Sequence, residues 1–170
     1  GLAGRYPGAP TLEAFWENLA AGRDCITEVP LERWDASRHY APAPAPPGRS
    51  HTKWGGFLDD VDKFDPLFFR IAPREAAFMD PQERLFLETA WEAMEDAGIA
   101  RASLHRRPVG VFAGVMWGQY QLMRAEVDGG VVSPSSIHAS VANRVSYCLD
   151  LRGPSMTVDT MCSSSLTALH

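Results

Sequence analysis

Hydrophobic and polar positions along this chain alternate between helical and strand spacing, with turn signals between the runs. Leu12, Phe15, Trp16 and Leu19 recur at i, i+3, i+4 and i+7, which predicts a helix capped by Thr11 and stopped at Gly22. Residues 26–35 read as a loop with room for a short turn, in which Trp34 packs. Residues 41–48, Ala-Pro-Ala-Pro-Ala-Pro-Pro-Gly, are the one low-complexity segment. Proline removes backbone donors there and favours extended conformers, so a solvated loop is expected. The roughly 40 residues before it are too few for a core of their own.

The large apolar groups of residues 54–71 read as core or buried loop. The aromatic run from Phe64 to Phe69 is expected to pack and not to form a ligand box. A short helix fits residues 73–79. Asp80-Pro81-Gln82-Glu83 then marks a helix start, with Asp80 as cap, Pro81 in the first turn and Glu83 completing a capping box. That helix runs to Ala97, with Leu87, Trp91, Met94 and Ala97 on one face and Gly98 as its stop. Residues 109–115 form a β-branched run that predicts a buried strand, and residues 124–135 a Gly/Ser-containing loop. Ile137, Val141, Val145 and Cys148 predict a helix over residues 136–149. Gly153-Pro154 breaks the chain, residues 155–159 make a short strand, and a turn at Thr160-Met161 leads into a helix starting near Cys162. Alternating helices and strands imply a layered α/β fold, and no internal repeat is seen.

Composition sharpens the class. With 45% hydrophobic and 22% charged residues, the 170-residue chain is globular. A net charge of -5 and dispersed basic residues leave no footprint for nucleic acid or anionic lipid. No apolar run approaches the ~20 residues of a membrane span, and nothing resembles a leader. Three cysteines, Cys25, Cys148 and Cys162, lack metal-ligand spacing, and the five histidines form no H-x-x-x-H pair. No metal site and a reducing, cytoplasmic setting are therefore expected. Both ends read as cut: residues 1–8 resemble the loop after an absent strand, and residues 163–170 begin a helix that does not finish.

Cys162 lies at the strand-to-helix turn. The attacking species is the thiolate, and a helix amino end, with its unpaired N–H groups and roughly half a positive charge, favours that anion. The same N–H groups can hold an oxyanion. Ser163, Ser164 and Ser165 are small enough to admit a substrate arm, and their hydroxyls can satisfy local backbone groups. A lone cysteine is also a common core hydrophobe, so the pattern alone leaves both roles open for Cys162. Cys25, in a loop, and Cys148, on an apolar helix face, read as structural.

Longer motifs decide the matter. Val158-Asp159-Thr160-Met161-Cys162-Ser163-Ser164-Ser165-Leu166 resembles the active-site signature of the ketosynthases of type I modular polyketide synthases. So do Met79-Asp80-Pro81-Gln82-Glu83-Arg84-Leu85, Lys53-Trp54-Gly55-Gly56-Phe57-Leu58, Phe64-Asp65-Pro66-Leu67-Phe68-Phe69 and Ala142-Asn143-Arg144-Val145-Ser146-Tyr147. The matches run in order from Gly1 to His170. The resemblance implies the N-terminal half of a thiolase-like, layered αβαβα fold, incomplete at both ends, with residues 1–170 forming a β-ketoacyl synthase N-terminal domain. It implies an acyltransferase in which Cys162 takes an acyl chain from the phosphopantetheine arm of an acyl carrier protein. Two histidines of the second half then promote decarboxylative condensation with a malonyl-type extender. No cofactor is bound directly. Implied partners are the carrier, an acyltransferase and other synthase domains, and a second copy in a homodimer, with the strand before Cys162 near its axis.

Departures from the family pattern carry expectations of their own. Met161 stands where many members have Ala; Met occurs in synthases with separately encoded acyltransferases or joined to peptide synthetases. It either shapes the acyl pocket or fills core. Ala72 replaces a Ser before Pro-Arg-Glu, a lost cap of ~1 kcal/mol. Asp159 is assigned to turn hydrogen bonding, not proton transfer. His170, eight residues beyond Cys162 and about 12 Å along a helix, is assigned to packing or the helix end. A ketosynthase that holds acyl chains without elongating them is the alternative reading. A cysteine hydrolase ranks last, because no G-x-S-x-G elbow is present. The chain alone is expected neither to condense substrates nor to stay well dispersed.

Overall fold

The computed structural model describes residues 1–123, 125–127, 130–134 and 136–170. It divides into two compact units, Gly4–Asp60 and Gly1–Ala3 with Val61–His170. The proline-rich segment is a largely exposed loop inside the smaller unit and not its boundary.

In the smaller unit, helix α1 spans Leu12–Ala20. Thr11 caps it by accepting from the Ala14 N–H at 3.2 Å, and Gly22 follows its end at φ +61°. Its apolar stripe is less buried than its spacing implies: Trp16 is 69% exposed, and Leu19 is also exposed. The inward residue is Asn18, which donates to the Gly8 carbonyl and accepts from Arg23. Phe15 instead stacks on Tyr6, ring centres 3.9 Å apart. Strands β1 (Thr27–Glu28) and β2 (Trp54–Gly55) pair antiparallel, and α2 (Ala36–His39) is capped by Asp35. These elements are too short for a periodicity to betray. Trp34 is half-buried, edge-on to His39, whereas Trp54 is exposed.

The larger unit holds α3 (Pro73–Ala76), α4 (Pro81–Asp96), α5 (Arg101–Leu104), β3 (Val111–Gly114), β4 (Ala125–Val127), β5 (Gly130–Val132), α6 (His138–Leu149), β6 (Ser155–Val158) and α7 (Ser164–Leu169), with a 3₁₀ turn at Gln119–Leu122. As expected, Ala72 offers α3 no side-chain cap. Helix α4 is capped by Ala97 at its end, and Gly98 at φ +66° adopts the left-handed conformation that stops it. The loop expected over residues 124–135 contains instead the antiparallel pair β4–β5, with Ala125 opposite Val132. Arg124, Asp128, Gly129 and Ser135 within it lie outside the described residues.

Strands β3 and β6 run parallel, Val111 beside Ser155 and Gly114 beside Val158. Val111, Ala113 and Val115 are buried with Val141, Ala142, Val145, Cys148 and Leu149 of α6, and with Met79 and Leu87. The predicted buried strand is thus buried on one face only, since Phe112 and Met156 are exposed on the other. Of the residues expected on the packed face of α6, Ile137 precedes the helix and is exposed. Phe69 and Ile71 join this core with Phe64 at its edge, while Leu67 and Phe68 are exposed. Basic residues dispersed in sequence meet at one cleft, where Asp150 pairs with His105 at 2.9 Å and Arg152 at 2.8 Å beside Arg70 and Arg101.

Two carboxylates are buried at the amino end of α4, one on its cap and one in its first turn. Asp80 accepts from the Gln82 N–H at 2.8 Å and from the Ser136 hydroxyl. Glu83, 1% exposed, does not close the capping box: its carboxylate accepts from Arg144 Nε at 3.2 Å, and Arg144 also pairs with Glu75. Burial works against the Arg144 charge, but its hydrogen bonds to Glu75 and Glu83 outweigh that and raise its pKa.

Cys148 is the structural thiol its spacing implied, with Sγ 3.8 Å from the Phe69 carbonyl. Burial pushes its pKa above the ordinary 9.0. The unfolded chain therefore loses this proton at lower pH than the folded one. The protection is complete below the unfolded value and fades as pH rises through the folded one. Denaturant titrations at pH 7.5 and 10 are expected to show an alkaline loss of stability that Cys148→Ala reduces.

Candidate active site

Parallel strands deliver their carboxyl ends to one edge, and in open α/β sheets that edge is where ligands bind. At this edge β3 continues into Met116-Trp117 and β6 into Asp159-Thr160-Met161-Cys162. The ladder extends one step, with the Val115 N–H donating to the Val158 carbonyl at 3.1 Å. Gln82 Nε2 donates to the Trp117 carbonyl at 2.8 Å, and so ties the post-β3 loop to the start of α4.

The turn from β6 to α7 is held by its own small polar side chains. Asp159 Oδ1 accepts from the Met161 N–H at 3.0 Å, the turn-stabilising role expected of it. Ser163 Oγ donates to the Thr160 carbonyl at 2.8 Å. Ser164, buried, uses its hydroxyl twice: it donates to the Met161 carbonyl at 2.6 Å and accepts from the Thr160 N–H at 2.9 Å. Thr160 and Thr167 hydroxyls meet at 3.1 Å. Backbone groups that a tight turn would leave unpaired thus find partners. Met161 adopts φ +56°, a left-handed conformation uncommon for a residue with a side chain. It is 62% exposed, so it does not fill the core of this chain.

Cys162 sits inside this turn, two residues before the first helical residue of α7, slightly earlier than expected. Its side chain is exposed, and among the described residues no hydrogen bond engages its sulfur. Cys25 is half-buried in the other unit and Cys148 is buried. His170 ends α7, its N–H donating to the Leu166 carbonyl, the helix-end position assigned to it. His105 is paired with Asp150, and His39 and His51 belong to the smaller unit. No group of three His, Cys, Asp or Glu side chains among the described residues has a metal-binding arrangement.

The Asp80–Ser136 contact and the Glu83–Arg144 pair are not legible in the sequence. Both join residues some sixty positions apart, so local spacing carried no signal beyond the cap at Asp80. Among the described residues, no helix is long and apolar enough to cross a membrane.

The sequence and fold recur in known proteins. The profile of the family described as "Beta-ketoacyl synthase, N-terminal domain" matches residues 1–170. Polyketide synthase ThaG of Burkholderia thailandensis is 60% identical over 172 residues, covering all of this chain and 3% of that protein. Polyketide synthase PksL of Bacillus subtilis is 53% identical over 179 residues, again covering the whole chain and 4% of the relative. The solved oxazolomycin ketosynthase domain OzmH KS7 of Streptomyces albus JA3453 superposes with a TM-score of 0.91 at 56% identity, covering all of this chain and 30% of that one. The chain therefore spans a small part of these relatives, and its fold is that of the thiolase-like ketosynthase domains. With its strand–turn–helix edge, its five sequence motifs and these likenesses, the chain belongs to the β-ketoacyl synthase family, as the N-terminal domain of a polyketide-synthase ketosynthase.

Proposed function

We propose that this chain supplies the acyl-accepting half of a condensing enzyme and that Cys162 is its nucleophile. The observation that carries the reading is the exposed thiol of Cys162, unbonded among the described residues, in a turn whose other polar groups are engaged. Cys162 directly precedes Ser163, the N-cap of α7, so the free N–H groups of that first turn lie beside it and can hold the oxyanion formed on attack.

The thiolate attacks the carbonyl carbon of an acyl thioester on the phosphopantetheine arm of an acyl carrier protein. The tetrahedral adduct collapses with cleavage of the carbon–sulfur bond to the arm. The acyl group remains on Cys162 and the arm leaves as a thiol, taking up a proton. A malonyl-type extender then loses carbon dioxide, and its carbanion attacks the Cys162 thioester. One carbon–carbon bond forms and the Cys162 thiolate is released. The acid–base groups for this second step are the two histidines that the family places in its second half. Residues 1–170 alone are accordingly inactive in condensation, and the exposed Phe112, Met156, Leu166 and Leu169 support a tendency to self-associate. Carrier, acyltransferase and a second copy are the partners of this reading, and the cytoplasm its setting.

The whole ketosynthase, given an acyl thioester and then a malonyl carrier, tests it by mass spectrometry. Uptake of one acyl group followed by a β-ketoacyl product two carbons longer is expected. Uptake without product would favour an acyl-holding domain. Absence of uptake would contradict the assignment.

A further inference from the structure

We propose that Gly114 and Ser164 are positioning residues for the Cys162 thiol, Gly114 as the seat of α7 on β3 and Ser164 as the clamp of the turn. The proposal rests on the reading of Cys162 as acyl acceptor. Gly114 is the last residue of β3 and shares a face with Phe112, opposite the face covered by α6. A Cβ built there would stand 2.6 Å from the Ser165 nitrogen, 2.7 Å from the Ser164 carbonyl carbon and 2.8 Å from the Ser165 Cα. All three atoms are backbone of the first turn of α7, so no side chain can swing aside. Any residue larger than glycine must lift that turn off the strand.

Ser164 transmits such a shift to the thiol. Its buried hydroxyl holds both the Thr160 N–H and the Met161 carbonyl, the two residues ahead of Cys162. Cys162 is thus enclosed in a short loop whose far side is pinned to the residue that rests beside Gly114. Asp159 fixes the same loop from the strand side, and Met161 holds its left-handed conformation between them. A lifted α7 moves Cys162 with it, and displacement of a reacting atom by about 1 Å can slow an acyl transfer by about 10²-fold.

Gly153 provides the matched control. A Cβ there would stand 2.4 Å from the Val109 carbonyl carbon and 2.6 Å from the Gly110 nitrogen. That approach is as tight, between the segments leading into the same two strands, but lies at their amino ends, away from Cys162. Alanine at either glycine strains the fold, and only the one at Gly114 displaces the thiol.

The test uses the whole ketosynthase with Gly114→Ala, Ser164→Ala and Gly153→Ala. Melting temperature, single-turnover acylation by a simple acyl thioester as a function of its concentration, and the pH profile of Cys162 alkylation by iodoacetamide are measured. Gly114→Ala is expected to lower the maximal acylation rate by about 10- to 100-fold with the half-saturating concentration nearly unchanged, and Ser164→Ala by about 10-fold. The alkylation profile of both should move away from that of the wild type. Gly153→Ala should melt earlier yet acylate at close to the wild-type rate. Wild-type rates and profiles in Gly114→Ala and Ser164→Ala, or an equal slowing in Gly153→Ala, would overturn the proposal. If Gly114→Ala fails to fold, Ser164→Ala decides alone. Failure of wild-type Cys162 to take an acyl group would instead overturn the underlying reading.

Discussion

Cys162→Ala is expected to abolish acyl uptake, because the variant lacks the sulfur that would carry the acyl group. The exposed sulfur contributes little packing, so the variant should melt like the wild type. Cys162→Ser keeps a nucleophilic atom in place, but a hydroxyl stays protonated near neutral pH and is a weaker nucleophile than a thiolate, so it should load slowly at best. Cys25→Ala and Cys148→Ala, by contrast, should leave uptake intact. Cys25 lies in the smaller unit, and the Cys148 thiol is buried with its pKa raised by desolvation. The measurement is intact-mass analysis of the four variants after timed exposure to an acyl thioester. Loading of Cys162→Ala at the wild-type rate would contradict the assignment of Cys162 as nucleophile.

Arg144→Met is expected to destabilise the protein by about 3–5 kcal/mol, because it leaves a buried carboxylate without its countercharge. Glu83 is almost wholly buried, and one of its carboxylate oxygens already has no hydrogen-bond partner within the described structure. Arg144 is the cation that compensates it, held between Glu83 and the more exposed Glu75. Methionine preserves much of the apolar stem, so the loss isolates the charge. Glu83→Gln in the Arg144→Met background removes the stranded charge and should recover much of that stability. Urea unfolding of wild type, both single variants and the double variant gives the coupling. A cost under about 1 kcal/mol for Arg144→Met would mean that the pair behaves as a surface ion pair.

The elements that were legible in the sequence are those whose signal is local. Thr11 and Asp80 cap helices because a short oxygen-bearing side chain beside an apolar run satisfies free N–H groups wherever it occurs. The turn at Thr160-Met161 was legible from the end of the short strand before it, although the helix begins at Ser164, two residues beyond Cys162. The failures share the opposite cause. Glu83 stands three residues after Asp80, as a capping box requires, yet a guanidinium sixty-one positions away competes for its carboxylate and wins. Two-residue strands such as Thr27–Glu28 are set by their partner Trp54–Gly55 and leave no alternation to read. Trp16 and Leu19 show the limit of periodicity: their spacing predicted the helix but not what covers its face. Gly114 was legible only as one small residue of a strand. Its consequence for α7 depends on a close backbone approach that only the folded chain displays.

The most direct test of the central claim is the location of the acyl group after a single turnover. The whole ketosynthase is exposed briefly to an acyl thioester, quenched, digested and mapped by tandem mass spectrometry. One acyl group on the peptide containing Cys162, and on that residue alone, is the predicted result. An acyl group on Cys25, Cys148 or a serine, with Cys162 unmodified, would contradict it.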